Sequence, residues 1–383
     1  MTIAEILANE ELRRHEFPVC RDRIFLAHAG VCPLPRRLAE AISTYAGRCT
    51  TGDQEELVFP ELLTRARQLA ARLLRAQPDE VAFVGPTSLA LSFIAASLNF
   101  RKGDNVLVYF DDYPSNVYPW MALAARGVQV RYLNTRGLGV IRPQDVLGQV
   151  DEHTRLVALA TGHFISGYRL DHQAIGAHLG ERNILLCLDA IQTLGAFPTT
   201  VEHADLLAAD AHKWLLGPCA AGLLYARRPV LERMTPPAFG WGNVRCPEYV
   251  AQEQIVFRGG AQRFEVGTHN FLGLAGLVAA LEWILELGVE DIARELGRKR
   301  AWLVAALQAK GYTVLQADAP PRAASGIVSC TRPVTDLPGL HRKLADAAVV
   351  TSLRTDRKGQ RYLRFSPHFY NTDAELARAV ELL

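Results

Sequence analysis

The sequence lacks the marks of several large protein classes. No stretch is rich in Lys and Arg, and 42 basic against 40 acidic residues leave a formal net charge of only +2, so neither nucleic acid nor a membrane surface is an expected partner. No run of about 18 apolar residues occurs, so no transmembrane helix is expected. The start, Met1-Thr2-Ile3-Ala4-Glu5-Ile6, carries an acid early and has no basic region followed by an apolar one. A signal peptide is therefore not expected, and the reading is cytoplasmic. There is no CxxC pair: the seven cysteines (Cys20, Cys32, Cys49, Cys187, Cys219, Cys246 and Cys330) are scattered and odd in number, which suits free thiols in a reducing compartment rather than a disulfide framework or a zinc site. No metal is expected. Repeats and low-complexity tracts are also missing, which leaves small molecules as the expected partners.

What is present is length and alternation. At 383 residues, 49% of them hydrophobic, the chain exceeds one ordinary core and can bury two domains. Strand-like and helix-like stretches alternate from residue 80 onward: strands at Glu80-Val84, Asn105-Tyr109, Gln129-Leu133, Arg155-Ala160, Asn183-Leu188, Leu206-Ala209 and Gly222-Tyr225, with helices between them at Leu89-Leu98, Tyr118-Ala125, Arg142-Val150 and His172-Leu179. Such alternation predicts a mostly parallel sheet flanked by helices, with its ligand outside the carboxyl ends of the strands. Before it come a short amphipathic helix over residues 2–15, a strand from Arg23 to Ala27, and helices from Pro35 to Gly47 and Phe59 to Ala76. Residues 226–268 break the rhythm with five glycines and four prolines, the composition of a functional loop. Long helices at Asn270-Leu287 and Glu290-Lys310 lead into a second α/β unit with strands near Thr313-Leu315, Gly326-Ser329, Val349-Ser352 and Tyr362-Phe365. The expected division is a large domain over 16–268 and a small one made of 1–15 and 269–383.

Chemistry concentrates in two apolar runs. Asp189 ends one (Leu185-Leu186-Cys187-Leu188-Asp189), and Lys213 follows another, before Gly217-Pro218. Taken alone, each is more often an ordinary solvated residue. Together, a lysine amine and a strand-end acid at the mouth of an α/β sheet are what pyridoxal 5'-phosphate (PLP) needs, the amine for a Schiff base and the carboxylate to keep the pyridine nitrogen protonated.

Asp189-Ala190-Ile191-Gln192, followed by Ala211-His212-Lys213-Trp214 and Gly217-Pro218, resembles the class V aminotransferase family of fold type I PLP enzymes, which includes cysteine desulfurases, selenocysteine lyases, kynureninase-like and isopenicillin-epimerase-like proteins. The resemblance runs from about Phe25 to the C-terminus. It implies a seven-stranded large domain with a small C-terminal domain, Lys213 as the Schiff-base lysine, Asp189 as partner of the ring nitrogen and Gln192 at the phenolic oxygen. Gly85-Pro86-Thr87-Ser88 matches the phosphate turn, where hydroxyls and backbone amides meet an anion over a helix N-terminus; a plain N-cap is the alternative. His212 would be a further phosphate contact. Gly267-Thr268 resembles the pair that reaches the phosphate of the neighbouring subunit, which implies a homodimer with shared active sites. Tyr113 falls where a ring stacks on the cofactor, and Arg364 matches the arginine whose fork holds a substrate α-carboxylate. The substrate is then an amino or keto acid, with Trp241, His28 and Ala29 as specificity elements.

Departures from the pattern are informative. Val349 to Tyr362 contains no cysteine where desulfurases carry their nucleophile, so persulfide transfer, and with it a true cysteine desulfurase, is not expected. Cys330 reads as a buried small hydrophobe. Asp210 stands where a small hydroxyl residue is usual, so it must turn away from the phosphate, pair with a base, or belong to a different cup. Phe164 occupies the slot where many relatives have an Asn near the ring oxygen; His163 beside it reads as a structural histidine or a pocket residue, and Arg354 as an ordinary partner of Asp356 or a residue lining the pocket. Transamination is ranked first on the family's general name; β-elimination of a carbon–sulfur or carbon–selenium bond and epimerisation are the alternatives. A ligand-binding protein without turnover is the reading from another class.

Overall fold

Unbroken apolar runs between turns decide the centre of the molecule. The computed structural model describes residues 1–55 and 61–383. Its strands in chain order are β1 (Ile24–Phe25), β2 (Val81–Phe83), β3 (Asn105–Val108), β4 (Gln129–Tyr132), β5 (Thr154–Ala160), β6 (Leu185–Asp189), β7 (Leu206–Ala209) and β8 (Leu223–Ala226), then β9 (Thr313–Val314), β10 (Val328–Thr331), β11 (Val349–Val350), β12 (Ser352–Thr355) and β13 (Arg361–Phe365). Seven of them form one sheet in the order β2-β8-β7-β6-β5-β3-β4, and only β8 runs antiparallel to its neighbours. Leu156 to Leu159 of β5 and Leu186 to Leu188 of β6 are fully buried without alternation, as a parallel sheet covered on both faces requires. The fold is therefore α/β, with the mostly parallel sheet that the alternation predicts.

One face packs on an apolar layer containing Leu91, Ile94 and Trp120. The other meets Trp214, Leu277 and Trp283. The helix Phe271–Leu287, expected in the smaller unit, packs instead against helices Arg36–Arg48 and Glu61–Leu74, and Ile6 joins the same core. A third core, with Leu303, Leu344, Phe365 and Leu376, covers the antiparallel sheet β12-β13-β10-β9. β1 pairs with β11 and Ala27 bridges to Ser366, which ties the chain just before Ala29 to the C-terminal sheet.

Several boundaries differ from expectation. Residues 2–15 form two helices, Ile3–Ala8 and Glu10–Glu16, because Asn9 is extended (φ −121°) and its side chain accepts from Leu12 N to start the second. The helix near Arg142 covers only Pro143–Leu147. The expected Val349-Ser352 strand divides into β11 and β12, which join different sheets. The expected start of a helix at Phe59 lies outside the described residues. Among the described residues, 226–268 holds only the short helix Arg228–Leu231 and two 3-10 turns, in line with a loop.

A candidate active site at the carboxyl ends of the strands

A cleft of about 250 Å³ opens where the parallel strands end, lined by residues that include Ala29, Thr87, Tyr113, Asp189, Gln192 and Lys213. Asp189 is the last residue of β6, in register with Ala160 and Ala208 of the flanking strands. Its side chain is 3% exposed and Oδ1 accepts from Ile191 N at 3.1 Å. Burial pushes its carboxyl up to about 7, and nearby Asp112 adds to the rise. Asp112 is itself pushed up to about 6 by burial, although it accepts from Asn116 Nδ2 (3.0 Å), Tyr113 N (2.7 Å) and Ala160 N (3.2 Å). A buried carboxylate in this state calls for a proton donor facing it, which is what a pyridinium nitrogen supplies.

Lys213 is 7% exposed. Its Nζ makes no hydrogen bond or ion pair with a described residue and stands 5.4 Å from the centre of the Tyr113 ring. Burial lowers the amine to about 8, against the pull of Asp189, and Arg364 and Arg354 lower it further. A near-neutral amine at the cleft wall is ready for Schiff-base formation.

The phosphate turn depends on a missing side chain. A Cβ on Gly222 of the β7–β8 turn would stand 2.1 Å from Gly85 O, so the Gly85-Pro86 turn lies directly on this backbone. The helix Thr87–Ser97 starts with Pro86 as its N-cap, without a side-chain cap bond. Thr87 and Ser88 are thus the first helical residues and not caps, and their amides head an eleven-residue helix at the cleft. Thr87 Oγ1 accepts from Asp210 N at 2.8 Å, and Ser88 Oγ lies 2.7 Å from Ser115 Oγ.

Asp210 turns away from the cleft. Its carboxylate accepts from Ala211 N (2.7 Å), Ala220 N (3.1 Å) and Ala221 N (3.2 Å), and His212 Nδ1 lies 2.9 Å from Oδ2. The acid therefore pins the lysine loop to the turn before β8 and faces His212, which lines the cleft. Asp210→Ala leaves three amides without their acceptor and is expected to cost about 3 kcal/mol, read as a lower urea midpoint of the cofactor-free protein. An unchanged midpoint would contradict this role.

Gln192 Oε1 accepts from Trp214 Nε1 (2.9 Å) and Nε2 donates to Ala29 O (3.2 Å), which fixes the Ala29 wall of the cleft. Tyr113 is 46% exposed at the mouth and meets Phe164 edge-on, with ring centres 5.4 Å apart. Arg364 is buried: Nη1 donates to Phe164 O (2.6 Å) and Nη2 to Ser352 Oγ (3.3 Å), while Nε has no partner.

Other expectations are corrected. His28 does not line the cleft; it is fully buried, with Nδ1 2.9 Å from Ser366 O and Nε2 2.8 Å from Tyr370 OH, so its neighbour Ala29 alone reaches the wall. Arg354 does not pair with Asp356, which accepts from Tyr362 OH and the amides of Lys358 and Gln360; the arginine lines the cleft. Trp241 lies away from this cleft in the chain, 41% exposed against Tyr249, while Gly267 and Thr268, expected to reach the phosphate of a neighbouring subunit, line a second cleft beside Gly85. His163 is structural as expected, buried with Nε2 2.9 Å from Asp111 O. Cys330 is fully buried in β10 and its thiol is pushed up to about 12 by burial. Ser115 and Asp112 are the contributors that sequence reasoning did not assign to the site, whereas Phe164 and Arg354, left open there, both line the cleft.

The chain matches the family described as Aminotransferase class-V over residues 24–378. It is 32% identical over 295 residues to a protein named probable cysteine desulfurase in Methanothermobacter thermautotrophicus, covering 75% of this chain and 73% of that one. It is 28% identical over 374 residues to the uncharacterized aminotransferase YcbU of Bacillus subtilis, covering 97% and 96%. In fold it resembles the apo cysteine desulfurase of Thermococcus onnurineus, with a TM-score of 0.90 at 22% identity over 100% of this chain and 97% of that one. A buried strand-end acid, a lysine whose amine burial lowers to about 8 and a helix-headed anion turn suit one cofactor, pyridoxal 5'-phosphate, and this chain belongs to the class V aminotransferase family that uses it.

Proposed function

We propose that the enzyme eliminates a sulfur-bearing group from Cβ of an amino acid and releases the sulfur to solvent, rather than storing it on a cysteine of its own. Transamination, ranked first on the family name, gives way to this reading because the 32% identical relative is named for removing sulfur from cysteine. The observation that carries the proposal is a cleft with a near-neutral lysine and no thiol. None of the residues lining the cleft is a cysteine. Cys32, one residue past the lining Val31, is buried with its thiol pushed up to about 12 by burial, and its Sγ faces Gly217 O at 3.8 Å.

When bound, PLP supplies the electron sink that makes bonds at the substrate Cα labile. The residues around it have separable tasks. Arg364 orients the substrate through its α-carboxylate, with its own geometry held by Phe164 O and Ser352 Oγ. Lys213 Nζ would hold the cofactor and, with substrate bound, would take the Cα proton and return it to the departing sulfur. Asp189 would hold a proton on the ring nitrogen, and Thr87, Ser88 and His212 would anchor the phosphate. Tyr113 and Phe164 form an aromatic rim that limits water. Gly267, Thr268 and Trp241 are read as serving the cleft of a second copy in a homodimer.

The deciding experiment mixes the PLP-loaded protein with amino acids that carry a sulfur leaving group and follows pyruvate, sulfur release and the cofactor together. Pyruvate and released sulfur with the cofactor unchanged are expected. Accumulation of pyridoxamine phosphate with a keto acid would return the assignment to transamination.

A further inference from the structure

A chain of hydrogen bonds runs from the core to the cleft, and donor and acceptor are fixed at each of its steps. His368 is fully buried, which holds its ring well below the usual histidine range and therefore neutral. Phe369 N donates to its Nδ1 (2.9 Å), so the ring proton is on Nε2, which donates to Trp214 O (3.1 Å). An indole N–H can only donate, and Trp214 Nε1 gives its proton to Gln192 Oε1 (2.9 Å). A backbone carbonyl can only accept, and Ala29 O takes a proton from Gln192 Nε2 (3.2 Å). Turning the amide over would set donor against donor at the indole and acceptor against acceptor at Ala29. One orientation is left. Gln192 lines the cleft, and its second Nε2 proton meets no described residue, so to an oxygen in the cleft the amide offers a proton.

The indole is clamped from behind. Trp214 is 1% exposed, and its ring closes on Gly326 ahead of β10, where a Cβ would stand 2.8 Å from Cη2 and 3.1 Å from Cζ3. His368 on the carbonyl and Gly326 against the ring thus hold, from the far end of the chain, a side chain whose one donor faces Gln192. None of Trp214, His368 and Gly326 lines the cleft itself.

We propose that Trp214 is a positioning residue for the cofactor. It holds Gln192 as an obligate donor to the oxygen on the PLP ring, and so sets from behind the cleft the protonation of the Lys213 nitrogen that carries the ring. A proton given to that oxygen stabilises its negative charge, which is least compensated when the nitrogen beside it is unprotonated. The nitrogen therefore loses its proton at a lower pH than it would without the donor. The inference rests on PLP as the cofactor and on the Gln192 contact that the family resemblance implies, and not on the reaction proposed above.

The test needs no substrate, so failure of the reaction assignment leaves its outcome untouched. The visible absorbance of the PLP-loaded protein is titrated with pH. Trp214→Phe keeps an aromatic ring in the core and removes the donor; the midpoint is expected to rise by about one pH unit, the size of one hydrogen bond to a charged oxygen. Gln192→Leu should give the same rise, and the double variant should rise no further, because the indole acts through the amide. Gly326→Ala, which presses on the indole from outside the cleft, should move the midpoint in the same direction and gives the reading where Trp214→Phe fails to load PLP. A tryptophan with a packing role alone would lower the urea midpoint of the cofactor-free variant and leave the titration in place. An unmoved or lowered titration midpoint in Trp214→Phe or Gly326→Ala, or shifts that add in the double variant, would overturn the proposal.

Discussion

Lys213→Ala is expected to lower turnover by about 10⁴-fold or more while the fold is kept, because in the proposed function one amine holds the cofactor and moves the Cα proton. The near-neutral state of the amine gives the prediction a second readout. Burial lowers Lys213 from 10.5 to about 8, so between those values the unfolded chain binds a proton that the folded chain has released. Stability of the cofactor-free protein should therefore rise with pH across that window. Lys213→Ala should remove this rise, seen as a flatter profile of Tm against pH. The same amine sets the rate of cofactor incorporation, which should climb toward pH 8 as the free base accumulates and then level. An alanine variant that kept full turnover, or an incorporation rate indifferent to pH, would remove Lys213 from its assigned role.

Asp189→Asn should separate stability from activity. The carboxyl is pushed up from 3.8 to about 7, by burial first and by Asp112 second. For an acid raised in this way, the folded state favours the neutral form: its contribution is fully present below the unfolded value and is lost as pH rises through about 7. Asparagine imitates the neutral form in nearly the same volume. The cofactor-free variant should therefore have a higher Tm than the parent above pH 7, with the difference vanishing below about pH 4. Catalysis should move the other way, by about 10³-fold, since an amide cannot hold a proton on the ring nitrogen and the electron sink weakens. The Tm gain on adding PLP should also shrink, because the buried charge that the pyridinium compensates is gone. Coincident pH profiles for the two cofactor-free proteins would contradict the burial argument, and retained activity would contradict the catalytic one.

How much of this site was legible beforehand depends on how each residue is held. Asp189 stands at the end of a buried strand, Thr87 and Ser88 at the head of a helix and Lys213 in the loop after β7, positions that apolar runs and turn residues announce locally. Arg364 stands in β13, one continuous strand that carries it into the core, where the sequence places a substrate-binding arginine. His28 and Ala29 are adjacent, yet only Ala29 faces the cleft. That choice is made by Ser366 and Tyr370, more than three hundred residues away in the chain, which take both nitrogens of His28. Asp210 was open between three roles until the turn at Ala220-Ala221 supplied two of its donors.

Arg354 shows the limit most clearly. Two residues from Asp356, it reads as half of a surface ion pair or as a pocket residue, and the hairpin register decides between them, setting Tyr362 beside the acid and leaving the arginine facing Arg364. By itself the sequence determined the α/β class, the family, the cofactor and the residues bound to strand ends, because periodicity, turn chemistry and motif spacing are properties of neighbouring residues. Tertiary structure alone decided which charges find partners and which are left for a ligand. Pairing depends on strand register and on contacts between distant segments, and no local pattern carries that information.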